Sequence, residues 1–130
     1  MRERPLSPHV TVYRMSRYSL LSSVANRATG IVLSAGVLVL TYWLLAAAGG
    51  PRSYLRASGA LASRPAKLLY ALLIVAFAYH LAAGIRHLVW DAGYALERRD
   101  SRRSAGLVLA AAIVLAVAFG YWAFFGRVGA

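Results

Sequence analysis

The sequence predicts an all-α integral membrane protein built on three transmembrane helices. Apolar residues make up 60% of its 130 positions, and mean hydropathy is +0.58. A soluble domain this small buries only a modest share of its chain and has no place for so much apolar surface. The apolar residues also come in long blocks rather than scattered stripes, which is the membrane pattern. Nearly every charge lies between those blocks or in the tails. The length allows one domain, residues 1–130.

Residues 1–22 form an N-terminal segment with Arg2, Arg4, Arg14, Arg17 and two prolines. It has no apolar run long enough for a secretory signal, so it is expected to stay on the cytoplasmic side, where it is made. The first helix is expected over about 24–48, uncharged from Gly30 onward, with Gly49, Gly50 and Pro51 ending it. The second is expected over about 66–90. Its uncharged part, Leu68 to Ile85, is 18 residues long, close to the roughly 20 needed to cross the hydrocarbon core.

Arg98 to Arg103 reads as a solvated loop, beside anionic lipid or docking a soluble partner. The third helix is expected over about 104–125 and carries no charge. Ala112, Ala116 and Gly120 put small residues at four-residue spacing. They suit either close approach of another helix or an alanine-rich face toward lipid. Tyr121 and Trp122 fit an interfacial aromatic belt.

Loop charges set the orientation. Ten basic residues (Arg2, Arg4, Arg14, Arg17, Arg27, Arg86, Arg98, Arg99, Arg102, Arg103) fall on one side, and five (Arg52, Arg56, Arg64, Lys67, Arg127) on the other. The excess puts the N-terminus and the second loop in the cytoplasm. Because the net charge of +11 lies in tails and loops flanking apolar spans, it points to membrane topology and not to nucleic acid. The chain has no cysteine. That excludes disulfides, thiolate-held iron–sulfur clusters and covalent haem attachment within it.

Polar groups inside a bilayer are costly and ask for a reason. On the second helix Gly84 falls about 40° from His80, while His87 and Asp91 each fall about 20° from it. The four form one stripe, and Arg86 points roughly 120° away. Neutral imidazole is a good iron ligand. A glycine one turn on leaves room for a flat macrocycle against the helix. His80 lies about 9 Å from Arg86 along the axis, near the size of a porphyrin, so a charged edge could reach Arg86 and His87. The bland alternative is a histidine hydrogen-bonded to a neighbouring helix. As a haem iron ligand, His80 supplies one axial position. His87 shares its face and cannot clasp the same iron from the other side, so a six-coordinate haem would need its second ligand from another chain.

Ser23, Arg27, Gly30, Ser34 and Thr41 share a stripe on the first helix. Arg27 is expected level with Arg86 and His87. Ser23, Arg27 and His87 could then form a pocket at the inner interface that bonds a quinone carbonyl or a haem propionate. Snorkelling to the headgroups is the other reading of Arg27. Asn26, about 60° from Ser23, either joins this network or bonds a neighbouring helix. Asp91 either caps the second helix or pairs with a basic residue.

The run from His80 through Gly84, Arg86, His87 and Asp91 to Gly93 resembles the H-x-x-x-G-x-R-H-x-x-x-D-x-G signature of the succinate dehydrogenase cytochrome b556 family. These are membrane-anchor C subunits of respiratory complex II. Arg4-Pro5-Leu6-Ser7-Pro8-His9 and Ser23-x-x-Asn26-Arg27-Ala28-Thr29-Gly30 resemble that family's N-terminal motifs. The resemblance covers nearly the whole chain. It implies half of a heterodimeric helical bundle, with haem b shared with a second small three-helix anchor subunit. His80 matches the axial ligand. Ser23 and Arg27 match quinone-site positions, and Arg27 and His87 also match positions near the propionates. An iron–sulfur subunit and a flavoprotein subunit would dock on the cytoplasmic face of a bacterial inner membrane and oxidise succinate. The chain alone would have no catalytic residue. In one place it departs from the family: Asn26 stands where a histidine is usual, and it can hydrogen-bond but cannot titrate.

Other readings compete, among them a purely structural anchor. An anchor of a quinol:fumarate reductase would run the reverse reaction. A haem-free small transport or proton-relay subunit would use His80 as a relay.

Overall fold

A computed structural model describes residues 17–126. Four helices follow in order: α1 (Arg17–Ala48), α2 (Pro51–Leu61), α3 (Arg64–Asp91) and α4 (Arg98–Phe125). There is no strand among the described residues. By length and composition α1, α3 and α4 can each cross a bilayer, as the sequence predicts. The motif from Arg4 to His9, and Arg127, lie outside the described residues.

α1 has 32 residues, about 48 Å at 1.5 Å per residue, against a hydrocarbon core of about 30 Å. It begins at Arg17 rather than near residue 24. Hydropathy marks where lipid starts, whereas a helix continues until something breaks it, and residues 17–29 contain neither glycine nor proline. Its hydroxyl stripe is largely satisfied within the helix. Ser34 Oγ donates to the Gly30 carbonyl at 3.0 Å, and Thr41 Oγ1 to that of Val37 at 2.8 Å. Two stripe members therefore need no polar partner in the membrane.

Gly50 turns the chain after α1 with φ 95°, a conformation that favours glycine. Pro51 does more than stop α1: it opens α2, an 11-residue helix that the apolar pattern does not reveal. Proline suits the first helical position because its missing N–H would be unpaired there anyway. α2 buries Ala57 and sets Tyr54 edge-on to Trp43, ring centroids 6.1 Å apart. Arg52 and Arg56 remain exposed.

α3 is the central helix, touching α1, α2 and α4. Ser63 Oγ caps it by accepting the Ala66 N–H at 3.4 Å. Its most extensive contact is with α4, where Ala82, Ala83, Val108 and Ala112 bury one another beside Tyr79. Alanine side chains let the two backbones approach closely, and packing of this kind holds helices together in lipid. Ala112 thus faces a helix, with Ala116 and Gly120 half-buried.

Arg98–Arg103 is helical, not a loop: it forms the first turns of α4. Asp100 in the first turn and Glu97 at the cap place negative charge at the positive end of the helix dipole. The turn before it uses Gly93 (φ 84°) and Ala95 (φ 55°). Trp90 Nε1 fastens that turn by donating to the Ala95 carbonyl at 3.2 Å.

Candidate functional site: a tethered histidine between two helices

His80 is half-buried on the side of α3 that meets α1. Its Nδ1 lies 3.2 Å from the Asn26 carbonyl oxygen and 3.2 Å from Thr29 Oγ1. A carbonyl only accepts, so the proton sits on Nδ1. The Thr29 hydroxyl is directed back into α1, with the Ala25 and Asn26 carbonyls both at 2.9 Å. Its oxygen lone pairs are left to receive Nδ1–H. The imidazole is held as the Nδ1–H tautomer, and Nε2 keeps its lone pair. A metal-ligating histidine is commonly arranged this way, its second nitrogen donating to a backbone carbonyl.

The ring comes this close to α1 because position 30 has no side chain. A Cβ on Gly30 would stand 3.3 Å from His80 Cε1 and 3.8 Å from Nδ1. Further along α3, Gly84 is open: among the described residues, no atom outside its own helix backbone lies within 4 Å of where its Cβ would be. Next to the His80 contact, Asn26 Oδ1 is buried without a hydrogen-bond partner among the described residues. It is the Asn26 main chain, not this side-chain oxygen, that bonds the neighbouring helix.

The register between α1 and α3 differs from expectation. Asn26, Thr29 and Gly30 surround His80, so Arg27 stands at the height of His80. That is nearly two turns from the level of Arg86 and His87. Ser23 is half-buried, while Arg27, His87 and Asp91 are exposed. His87 meets Trp90, ring centroids 5.3 Å apart. Among the described residues no hydrogen bond, ion pair or ring contact joins Ser23, Arg27 and His87. The same holds for Asp91 and any basic residue.

Arg86 departs furthest from its expected place at a cofactor edge. It is 7% exposed and lies inside the bundle. Nε donates to Ser104 Oγ at 2.9 Å, and Nη1 to Ser22 Oγ at 3.1 Å. Nη2 donates to the Ser101 carbonyl at 3.0 Å and to Ser101 Oγ at 3.2 Å. The guanidinium carbon sits 3.9 Å above the Trp90 ring, a cation–π distance. Thr29 and Ser22 carry contacts that sequence reasoning did not single out. Only the pairing of α1 with α3 reveals them.

A comparison with known families matches residues 1–119 to the succinate dehydrogenase/fumarate reductase transmembrane subunit. The chain belongs to this family. It is a multi-pass membrane protein and, like the family, a membrane subunit. It is 40% identical over 114 residues to the succinate dehydrogenase cytochrome b556 subunit of Paracoccus denitrificans, covering 88% of this chain and 87% of that one. It is 37% identical over 116 residues to the mitochondrial cytochrome b560 subunit of Sus scrofa, covering 88% of this chain and 68% of the relative. The Rickettsia felis cytochrome b556 subunit is 32% identical over 113 residues, 87% of either chain.

Proposed function

We propose that this chain is the haem-binding membrane anchor of a succinate:quinone oxidoreductase, helping to carry electrons from an iron–sulfur subunit to quinone. The observation that carries the reading is His80, held through Nδ1 by the Asn26 carbonyl and Thr29 so that Nε2 is free to ligate. The open face at Gly84 and the buried, unpartnered Asn26 Oδ1 are what a flat macrocycle with polar edge groups calls for. The residues therefore fit a b-type haem. His80 would ligate its iron, and Gly84, Asn26, Arg27 and His87 would line its surround. A bound haem would supply one-electron storage between donor and quinone.

The chain's own residues supply positioning and charge. Ser23 and Arg27 donate hydrogen bonds to a quinone carbonyl, and the guanidinium stabilises negative charge developing on that oxygen as electrons arrive. Another small three-helix anchor subunit would supply a further ligand to the iron. The N-terminus and the 92–97 turn face the cytoplasm, where iron–sulfur and flavoprotein subunits dock. The named relatives are succinate dehydrogenase subunits, which favours succinate oxidation over fumarate reduction.

The test is a reduced-minus-oxidised absorption spectrum of the purified complex. A b-type α-band is expected, and its absence from a complex with every subunit present overturns the haem assignment. Arg27→Leu in the same complex should cut quinone reduction about tenfold or more, the effect of a lost charged hydrogen bond. Succinate oxidation by an artificial dye should persist. Undiminished quinone reduction would remove Arg27 from the site.

A further inference from the structure

A guanidinium inside a membrane bundle is expensive. Adhesion between α3 and α4 does not explain it, since the alanine contact already joins them. Arg86 has arms toward two of the neighbouring helices. Nε and Nη2 grip Ser104 and Ser101 on α4, while Nη1 reaches Ser22 on α1. Its hydrogen-bond partners among the described residues are all neutral, so the contact fixes geometry without cancelling charge.

Ser22 is held twice by α3, because the Tyr79 hydroxyl also donates to its carbonyl at 3.3 Å. One turn further along α1 is Asn26, whose carbonyl receives the His80 Nδ1–H. The connections form a closed loop: from Arg86 across to Ser22, along one turn of α1 to Asn26, and back to His80. Two cross-helix contacts thus fix the height and rotation of α1 against the imidazole.

We propose that Arg86 is a positioning residue for the His80 ligand, acting through Ser22 and one turn of α1. This rests on the reading of His80 as a haem ligand. The hydrogen bond at the far nitrogen of a ligating histidine sets its ring orientation and basicity, and axial ligation with its surrounding hydrogen bonds tunes haem potential. Arg86 reaches the iron ligand without touching it.

The experiment uses the assembled complex and reads the haem midpoint potential and low-spin EPR g-values. Ser22→Ala removes the α1 arm and keeps the cation; Ser104→Ala removes one α4 bond. Ser22→Ala and Arg86→Gln are expected to shift both readouts. Ser104→Ala should lower thermal stability and leave the haem signature as in wild type. Wild-type g-values and potential in Ser22→Ala, at full haem content, overturn the proposal, as does an equal shift in Ser104→Ala. Arg86→Lys keeps the charge but not the fork, and its signature should also be displaced. A wild-type signature there beside a displaced one in Arg86→Gln would mean that charge alone acts, and the positioning role would fall. If Arg86→Gln fails to assemble, Ser22→Ala and Arg86→Lys decide the matter. A wild-type complex without a b-type band sinks the haem reading itself; a haem-loaded Ser22→Ala complex without a shift sinks only the positioning role.

Discussion

Replacing Gly30 by alanine sets one methyl group against the His80 ring. The new carbon would lie 3.3 Å from Cε1, where carbon pairs prefer about 3.5–4.0 Å. The ring must therefore yield by a few tenths of an ångström, away from α1. Its Nδ1 contacts with Asn26 and Thr29 are already 3.2 Å long, at the far end of the usual range for such bonds. The same movement carries them past it. Overpacking costs about 1–3 kcal/mol, while alanine in place of helical glycine returns about 1 kcal/mol. Net destabilisation should be about 0–2 kcal/mol, small enough for the complex to assemble. The ligand should register a larger relative change. With its donor bond weakened, the His80 imidazole becomes less basic, and the haem g-values and midpoint potential should move while thermal stability changes little. Redox titration and EPR of the purified Gly30→Ala complex measure this. Full haem content with wild-type g-values and potential would refute the reasoning, because it would mean that the α1 contact does not govern the ring.

Thr29→Val keeps the shape and removes one acceptor from Nδ1–H while Asn26 still holds it. The loss is about 1 kcal/mol, expected to speed haem release about fivefold on dilution into apomyoglobin. An unchanged rate would leave the Asn26 carbonyl as the sole tether that matters. Gly84→Leu puts a side chain on the open face, where among the described residues a Cβ has no atom within 4 Å outside its own helix backbone, so the spans should insert and fold normally. Haem per complex, measured as the pyridine haemochrome, should fall severalfold; full occupancy would show that no macrocycle lies there.

Hydropathy carried most of the architecture. Blocks of uncharged residues located all three spans because lipid tolerates little else. Their ends were harder to read. Polarity at Arg17 and at Arg98–Arg103 marks departure from lipid, not the end of hydrogen-bonded backbone, so α1 and α4 run further than the apolar blocks. α2 is short and amphipathic, and Pro51 signals a stop as readily as a start. Within the site, His80 and Gly84 were legible from spacing on a single helix. What spacing cannot give is register between helices. The depth of Arg27 depends on that register. So do the Thr29 contact with His80 and the reach of Arg86 to Ser22. Its angle of roughly 120° from the histidine stripe told where Arg86 was not, but not that two other helices would receive it.

The tether on His80 is a main-chain atom. Whatever side chain occupies position 26, the helix presents a carbonyl oxygen at the same place, so a substitution there leaves the hold on the imidazole intact. The side chain of Asn26 is thus one the ligand can ignore. The main chain at that position serves the imidazole, and the side chain is left to answer to a different demand, whether a cofactor edge or a neighbouring subunit.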